Sequence, residues 1–320
     1  MKSTAVIACA LILIACGGRT APRSTAADPT LVDIEQLWIE PSDLESRDLF
    51  HGVGGPDLAP PSGRAFELVK TDTTGHSPGY DVKDSSGTRW SVKLGSESQS
   101  EVAASRLLWA IGFHQPPVYF LPSWTLSGGP VANPGPGRFR PELHTHKVAS
   151  DWSWFENPFV QTQAFKGLVV ANLMLNSWDW KTSNNKIYEI VAGEAGASRR
   201  VYVVRDLGAS LGKTSYPKLL TWMPMRGFGQ GSRNHLEDFE EQGFIKRVEG
   251  HRPEFHYRGI YRSLLDTLTV GDVVWTARLL ARLSDQQWHD AFRAAGYSDE
   301  HARRFAEKLK AKVAEGLALN

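Results

Sequence analysis

Asn176-Ser177-Trp178-Asp179-Trp180-Lys181-Thr182-Ser183-Asn184-Asn185-Lys186-Ile187-Tyr188, followed by Val201-Tyr202-Val203-Val204-Arg205-Asp206-Leu207-Gly208, is the stretch on whose reading the fold turns. Asp179 and Asn184 stand five positions apart, and Asp206 closes the strand-like run that follows. That spacing alone arises by chance in many chains, because Asp and Asn are ordinary loop residues. Order gives it weight. A helix leads in, the Asp-to-Asn loop follows, and a strand over 187–191, a turn over 193–197 and a second strand carry the chain to Asp206.

Outward from this stretch, 320 residues suffice for one large domain or two lobes. The near-balance of 36 basic and 35 acidic residues leaves no basic field, which argues against nucleic acid as a partner. Met1-Lys2 precedes an apolar run over 5–15, too short to span a bilayer but suited to a secretory signal peptide. Leu13-Ile14-Ala15-Cys16 resembles the bacterial lipobox, which implies a signal peptide over 1–15, an acylated Cys16 and a flexible polar tether to residue 30. The expected location is the bacterial cell envelope, exported and lipid-anchored to a membrane. Cys9 and Cys16 are the only cysteines. Once Cys16 is lipidated, disulfides, zinc-thiolate sites and thiol catalysis are excluded from the folded part.

An N-terminal extension over 31–65 carries enough apolar residues around 31–38 to dock on the domain. From Phe66 the period becomes strand-like, over 66–70, 80–82 and 89–94, which predicts a three-stranded meander. Its first loop holds Thr74, Gly75, Ser77 and Gly79. A plain hairpin loop and a phosphate-covering loop both fit that composition. A helix is expected over 98–113, with Ser98 or Ser100 as cap and Gly112 as stop. Ala104, Leu107, Leu108 and Ile111 form its apolar stripe, and Glu101 lies one turn ahead on the same face. A carboxylate on an apolar face requires a cation. Lys93, at the end of the preceding strand, is the natural partner, with Glu97 as the alternative carboxylate.

Residues 115–120 read as an edge strand, and the breaker-rich 126–137 as a loop without core-forming capacity. His144 and His146 read as surface histidines. Asn157-Pro158 reads as a helix opening, and Phe165, Leu168, Val169, Asn172 and Leu173 form one face leading into Asn176. The glycines at 227, 229 and 231 read as a loop. Three helices are expected over 269–283, 284–295 with a Ser284/Gln287 capping box, and 298–317.

Taken together, Lys93, Glu101, Asp179, Asn184 and Asp206-Leu207-Gly208 give residues 66–212 a resemblance to the atypical kinase-like superfamily. Its relevant branches are the HipA-type toxin kinases, the phosphatidylinositol 3/4-kinases and the CotH-type spore-coat kinases. The resemblance implies an α+β, two-lobed fold: a small antiparallel-sheet lobe with one helix over 66–122 and a mostly helical large lobe over 123–320. It further implies nucleotide phosphates under Thr74, Gly75, Ser77 and Gly79, with Lys93 on phosphate and Glu101 as its pair. Asp179 would be the catalytic base, Asn184 and Asp206 would hold Mg2+ or Mn2+, and ATP would be the co-substrate. The chain departs from the protein-kinase pattern: His-Arg-Asp, Ala-Pro-Glu and the full glycine loop are missing, Trp178 precedes the Asp, and Leu207 replaces Phe. The expected function is phosphoryl transfer to a hydroxyl acceptor on a protein, lipid or glycan. The alternative is a non-catalytic envelope lipoprotein that binds a protein or glycan partner, because little ATP reaches that compartment.

Overall fold

A computed structural model describes residues 32–72, 78–192, 197–214 and 231–319. Cys9, Cys16, Thr74, Gly75, Ser77 and the glycines at 227 and 229 lie outside the described residues. Alternation builds the first layer. In β3 (Arg89–Leu94), Trp90 and Val92 are buried on one face, while Ser91 and Lys93 point to the other. Their neighbours are β1 (Ala65–Asp72), β2 (Gly79–Asp84), β4 (Tyr119–Leu121), β5 (Thr125–Ser127) and β6 (Gly137–Pro141), joined in the order β4-β6-β3-β2-β1-β5. Every pairing is antiparallel except β1 with β5. One face closes over Phe66, Val82, Trp90, Trp124, Leu126 and Phe139, with the Phe139 ring 4.9 Å from Phe66 and 5.1 Å from Trp124.

Two of these strands correct the sequence reading. Leu126 is buried in β5, although its segment was expected to lack any core role, because parallel pairing with Phe66 carries it into the sheet core. With β6 it also extends the sheet lobe past residue 122, where the sequence reading ended it.

Helix α1 (Glu97–Ala110) packs against β3, β4 and β6 and is buried on nearly all sides. Ser98 and Ser100 are not its cap: their hydroxyls donate to Lys93 O (2.7 Å) and Gly208 O (2.6 Å). Gly112 ends it at φ 100°, where a Cβ would meet the Ile39 carbonyl at 2.2 Å. The N-terminal extension crosses there: Trp38 Nε1 donates to Ile111 O, and Gln287 Nε2, from the helical lobe, donates to Leu44 O.

β7 (His146–Asp151), β8 (Asn185–Ala192) and β9 (Ala197–Val204) form a three-stranded antiparallel sheet, and β10 (Ile245–Glu249) pairs with β11 (Arg252–Phe255). The large lobe packs α2 (Gln163–Met174) against α4 (Val270–Ala281) and α6 (Asp299–Leu317), with α5 (Asp285–Arg293) bridging to α1 and the short α3 (Leu236–Glu241) on α6. Helix α2 starts at Gln163 rather than at Asn157-Pro158. Thr162 takes the extended cap conformation and accepts from Phe165 N, whereas Asn157 accepts from Phe159 N and donates to Ser153 O in a turn ahead of the helix. Capping boxes at Thr269/Asp272 and Ser284/Gln287 open α4 and α5. The fold is α+β and two-lobed: a sheet lobe with one helix beside a mostly helical lobe. Among the described residues no helix is long and apolar enough to cross a membrane.

Candidate active site

The site forms where α1, the end of β3 and the Asp206-Leu207-Gly208 turn meet. Lys93 Nζ lies 2.7 Å from Asp206 Oδ1, 3.0 Å from Glu97 Oε2 and 3.2 Å from Glu101 Oε2. The structure therefore brings Lys93 together with both carboxylates that the sequence offered as its partner, and with Asp206. Glu101 is 1% exposed and sits between Lys93 and Arg138, whose Nε is 2.9 Å away. Neither Glu101 oxygen makes a well-aligned hydrogen bond, so charge rather than hydrogen bonding holds it. Glu97 also pairs with Arg233, whose guanidinium lies over the Trp178 ring. Gly208 makes this approach possible, since a Cβ there would lie 2.6 Å from Glu97 Cβ.

Electrostatics follow from this packing. Burial opposes the charge on Lys93, but Glu101, Asp206 and Glu97 outweigh it and raise its pKa above the ordinary lysine value. Burial likewise opposes ionisation of Glu97 and Asp206, yet Lys93 outweighs it and both sit below the usual carboxylate range. The depressed carboxylates contribute stability that is present above 4.5 and 3.8 and lost as pH falls through their lowered values. The raised lysine contributes below 10.5 and loses its share only as pH rises through its higher value. The cluster should thus contribute a constant term from about pH 5 to about pH 9 and lose it in acid. Melting temperatures of wild type and Glu97→Gln from about pH 2 to about pH 9 check this: the difference between them should be constant above about pH 5 and shrink below about pH 4.

The Asp179 loop is tied to this cluster through Asn184. Asn184 Nδ2 donates to the Asp179 carbonyl at 2.7 Å, and the Asn184 carbonyl accepts from Arg205 N (3.0 Å) and Asp206 N (3.3 Å). The Asp179 carboxylate meets Lys181 Nζ at 2.9 Å. Upstream, Asn176 takes φ 52° and donates to Gly212 O at 2.6 Å. From α6, the fully buried Lys312 donates to Met174 O and Asn176 Oδ1, both at 2.8 Å, and so braces the start of the loop. Burial depresses the Lys312 pKa.

Asp206 is 40% exposed, and its second oxygen and the Asn184 amide oxygen make no hydrogen bond among the described residues. These are hard oxygen donors, of the kind magnesium takes together with phosphate oxygens. Among the described residues there is no group of three or more His, Cys, Asp or Glu that could hold a metal by itself. Gly79, the one described member of the expected phosphate loop, stands directly opposite Lys93 in the β2–β3 register.

Sequence reasoning missed Arg138, Arg233, Ser100 and Lys312. Arg138 alternates with Phe139 along β6, so its orientation was available from the period, but its partner strand was not.

No family model matches the chain, and no curated protein matches it. Among solved structures it is similar to the crystal structure of a Helicobacter pylori proinflammatory kinase, CtkA, at 12% identity and a TM-score of 0.48, covering 80% of this chain and 95% of that one. A likeness at that level carries no functional argument.

Proposed function

We propose that the chain is a lipid-anchored, kinase-like phosphotransferase of the bacterial cell envelope, moving the γ-phosphoryl group of ATP to a hydroxyl acceptor with Mg2+ or Mn2+. One observation supports the reading above others: Lys93 of the sheet lobe bonds Asp206 of the large lobe, while Asn184 links the Asp206 backbone to the Asp179 loop. On this reading a phosphate-binding cation, a candidate base and two oxygen donors would act together at one junction between the lobes.

Phosphoryl transfer requires chiefly positioning and charge neutralisation. Lys93, kept cationic by three carboxylates, would hold phosphate oxygens. Asp206 and Asn184 would hold the metal, which when bound neutralises phosphate charge. Asp179 would accept the proton of the acceptor hydroxyl as its oxygen bonds to phosphorus and the bond to the ADP oxygen breaks. A non-catalytic, partner-binding lipoprotein is the second reading. It is favoured by the metal-ligand count: the Asn184 amide is already committed in part to the loop.

The test is magnesium-dependent binding of ATP by the full chain, read by thermal shift. Wild type should be stabilised by Mg·ATP, and Asp206→Asn should abolish the shift; a wild type indifferent to nucleotide with either metal would leave the second reading. For the anchor, Cys16→Ser should release the protein from membranes into the soluble fraction. Retention by Cys16→Ser together with release by Cys9→Ser would move the lipid to Cys9.

A further inference from the structure

Beside the Asp179 loop lies a cavity of about 430 Å³, lined by Lys246, Phe255, His256, Tyr257, Arg258 and Arg262. Tyr257 connects it to the loop: its ring stacks on Trp180, the residue after Asp179, at 4.8 Å and 17°. Burial raises the Tyr257 hydroxyl's pKa, and the Asp179 charge adds to the effect, which puts the cavity wall within electrostatic reach of the candidate base. The wall's backbone is fixed to the segment after Asp206: Arg258 N donates to Thr214 Oγ1, and Gln242 Nε2 donates to both Thr214 Oγ1 and the His256 carbonyl.

The lining is cationic. Lys246 is shared with Glu254 at 3.2 Å, but the guanidinium groups of Arg258 and Arg262 have no carboxylate partner among the described residues. Tyr261, at φ 58°, adopts a left-handed turn immediately before Arg262 and opens the 3-10 helix Arg262–Thr267 there. Two guanidinium forks without a carboxylate partner among the described residues, lining one cavity with Phe255 and Tyr257, suit a planar or tetrahedral oxyanion. Their two unit charges match a dianion better than a single carboxylate.

We infer that this cavity is the acceptor subsite, and that the acceptor carries a phosphomonoester, held by Arg258 and Arg262, beside the hydroxyl presented to Asp179. The inference rests on the phosphotransferase reading. It names a substrate class for that site: a phosphorylated polyol, whether free or as a lipid headgroup.

Isothermal titration of the full chain with inorganic phosphate, with and without saturating Mg·ADP, tests it. Wild type should bind phosphate in both conditions, and Arg258→Ala/Arg262→Ala should weaken binding roughly tenfold or more. Arg262→Gln alone, at an exposed position, should weaken it in the same direction and covers the case in which the double variant folds poorly. Glucose 6-phosphate and vesicles containing phosphatidylinositol 4-phosphate then separate the free source from the headgroup; Arg-dependent binding of either supports the subsite. Equal phosphate affinity in wild type and variants, absence of binding in wild type, or loss of wild-type binding when Mg·ADP is present overturns it. Failure of Mg·ADP itself to bind is read separately and overturns the phosphotransferase reading.

Discussion

Asp179→Asn is expected to bind Mg·ATP as wild type does and to transfer its phosphoryl group more slowly by roughly 10²- to 10⁴-fold. The substitution preserves shape and removes only the capacity to take a proton. It spares the loop, because the bond that ties Asn184 to this residue ends on the Asp179 main-chain carbonyl, not on its carboxylate. It also frees Lys181 from an ion pair, but Lys181 is more than half exposed and the pair contributes little. Single-turnover transfer to an acceptor, with nucleotide affinity measured in parallel, separates the two effects. Loss of affinity along with rate would make Asp179 a metal ligand; an unchanged rate would remove it from the chemistry.

Much of this site was legible because its signals are local. The Asp179, Asn184 and Asp206 order lies within one loop and one hairpin, and the Lys93 and Glu101 pairing follows from a strand end and a helical face a few residues apart. The capping residue Ser284 stands where composition put it. What stayed hidden depends on contacts between distant segments. Ser100 reads as a cap by residue type, yet the DLG turn arrives beside it from over a hundred positions away. Leu126 sits among glycines and prolines that signal a loop, and only pairing with β1 gives it a core role. Lys312 lies on an ordinary charged helix; nothing local says that it ends fully buried against Asn176 and the Phe239 ring.

Lys93→Met is expected to destabilise the protein by about 3–5 kcal/mol and to abolish nucleotide binding. The side chain is 16% exposed and is shared by Glu97, Glu101 and Asp206. Removing the cation leaves three carboxylates converging on one space. Arg233 would still hold Glu97 and Arg138 would still hold Glu101, but Asp206 would lose its ion-pair partner among the described residues. Because the cost comes from carboxylates left behind, deleting a second charge should recover part of it. Glu101→Gln in the Lys93→Met background should therefore be less harmful than Glu101→Gln in wild type, a coupling of roughly 1–3 kcal/mol in a double-mutant cycle. Urea denaturation of the four proteins measures it. Additive effects would mean that Lys93 and Glu101 are neighbours without being partners, and Glu101 would then lose its claim to hold the Lys93 ammonium in place at the site.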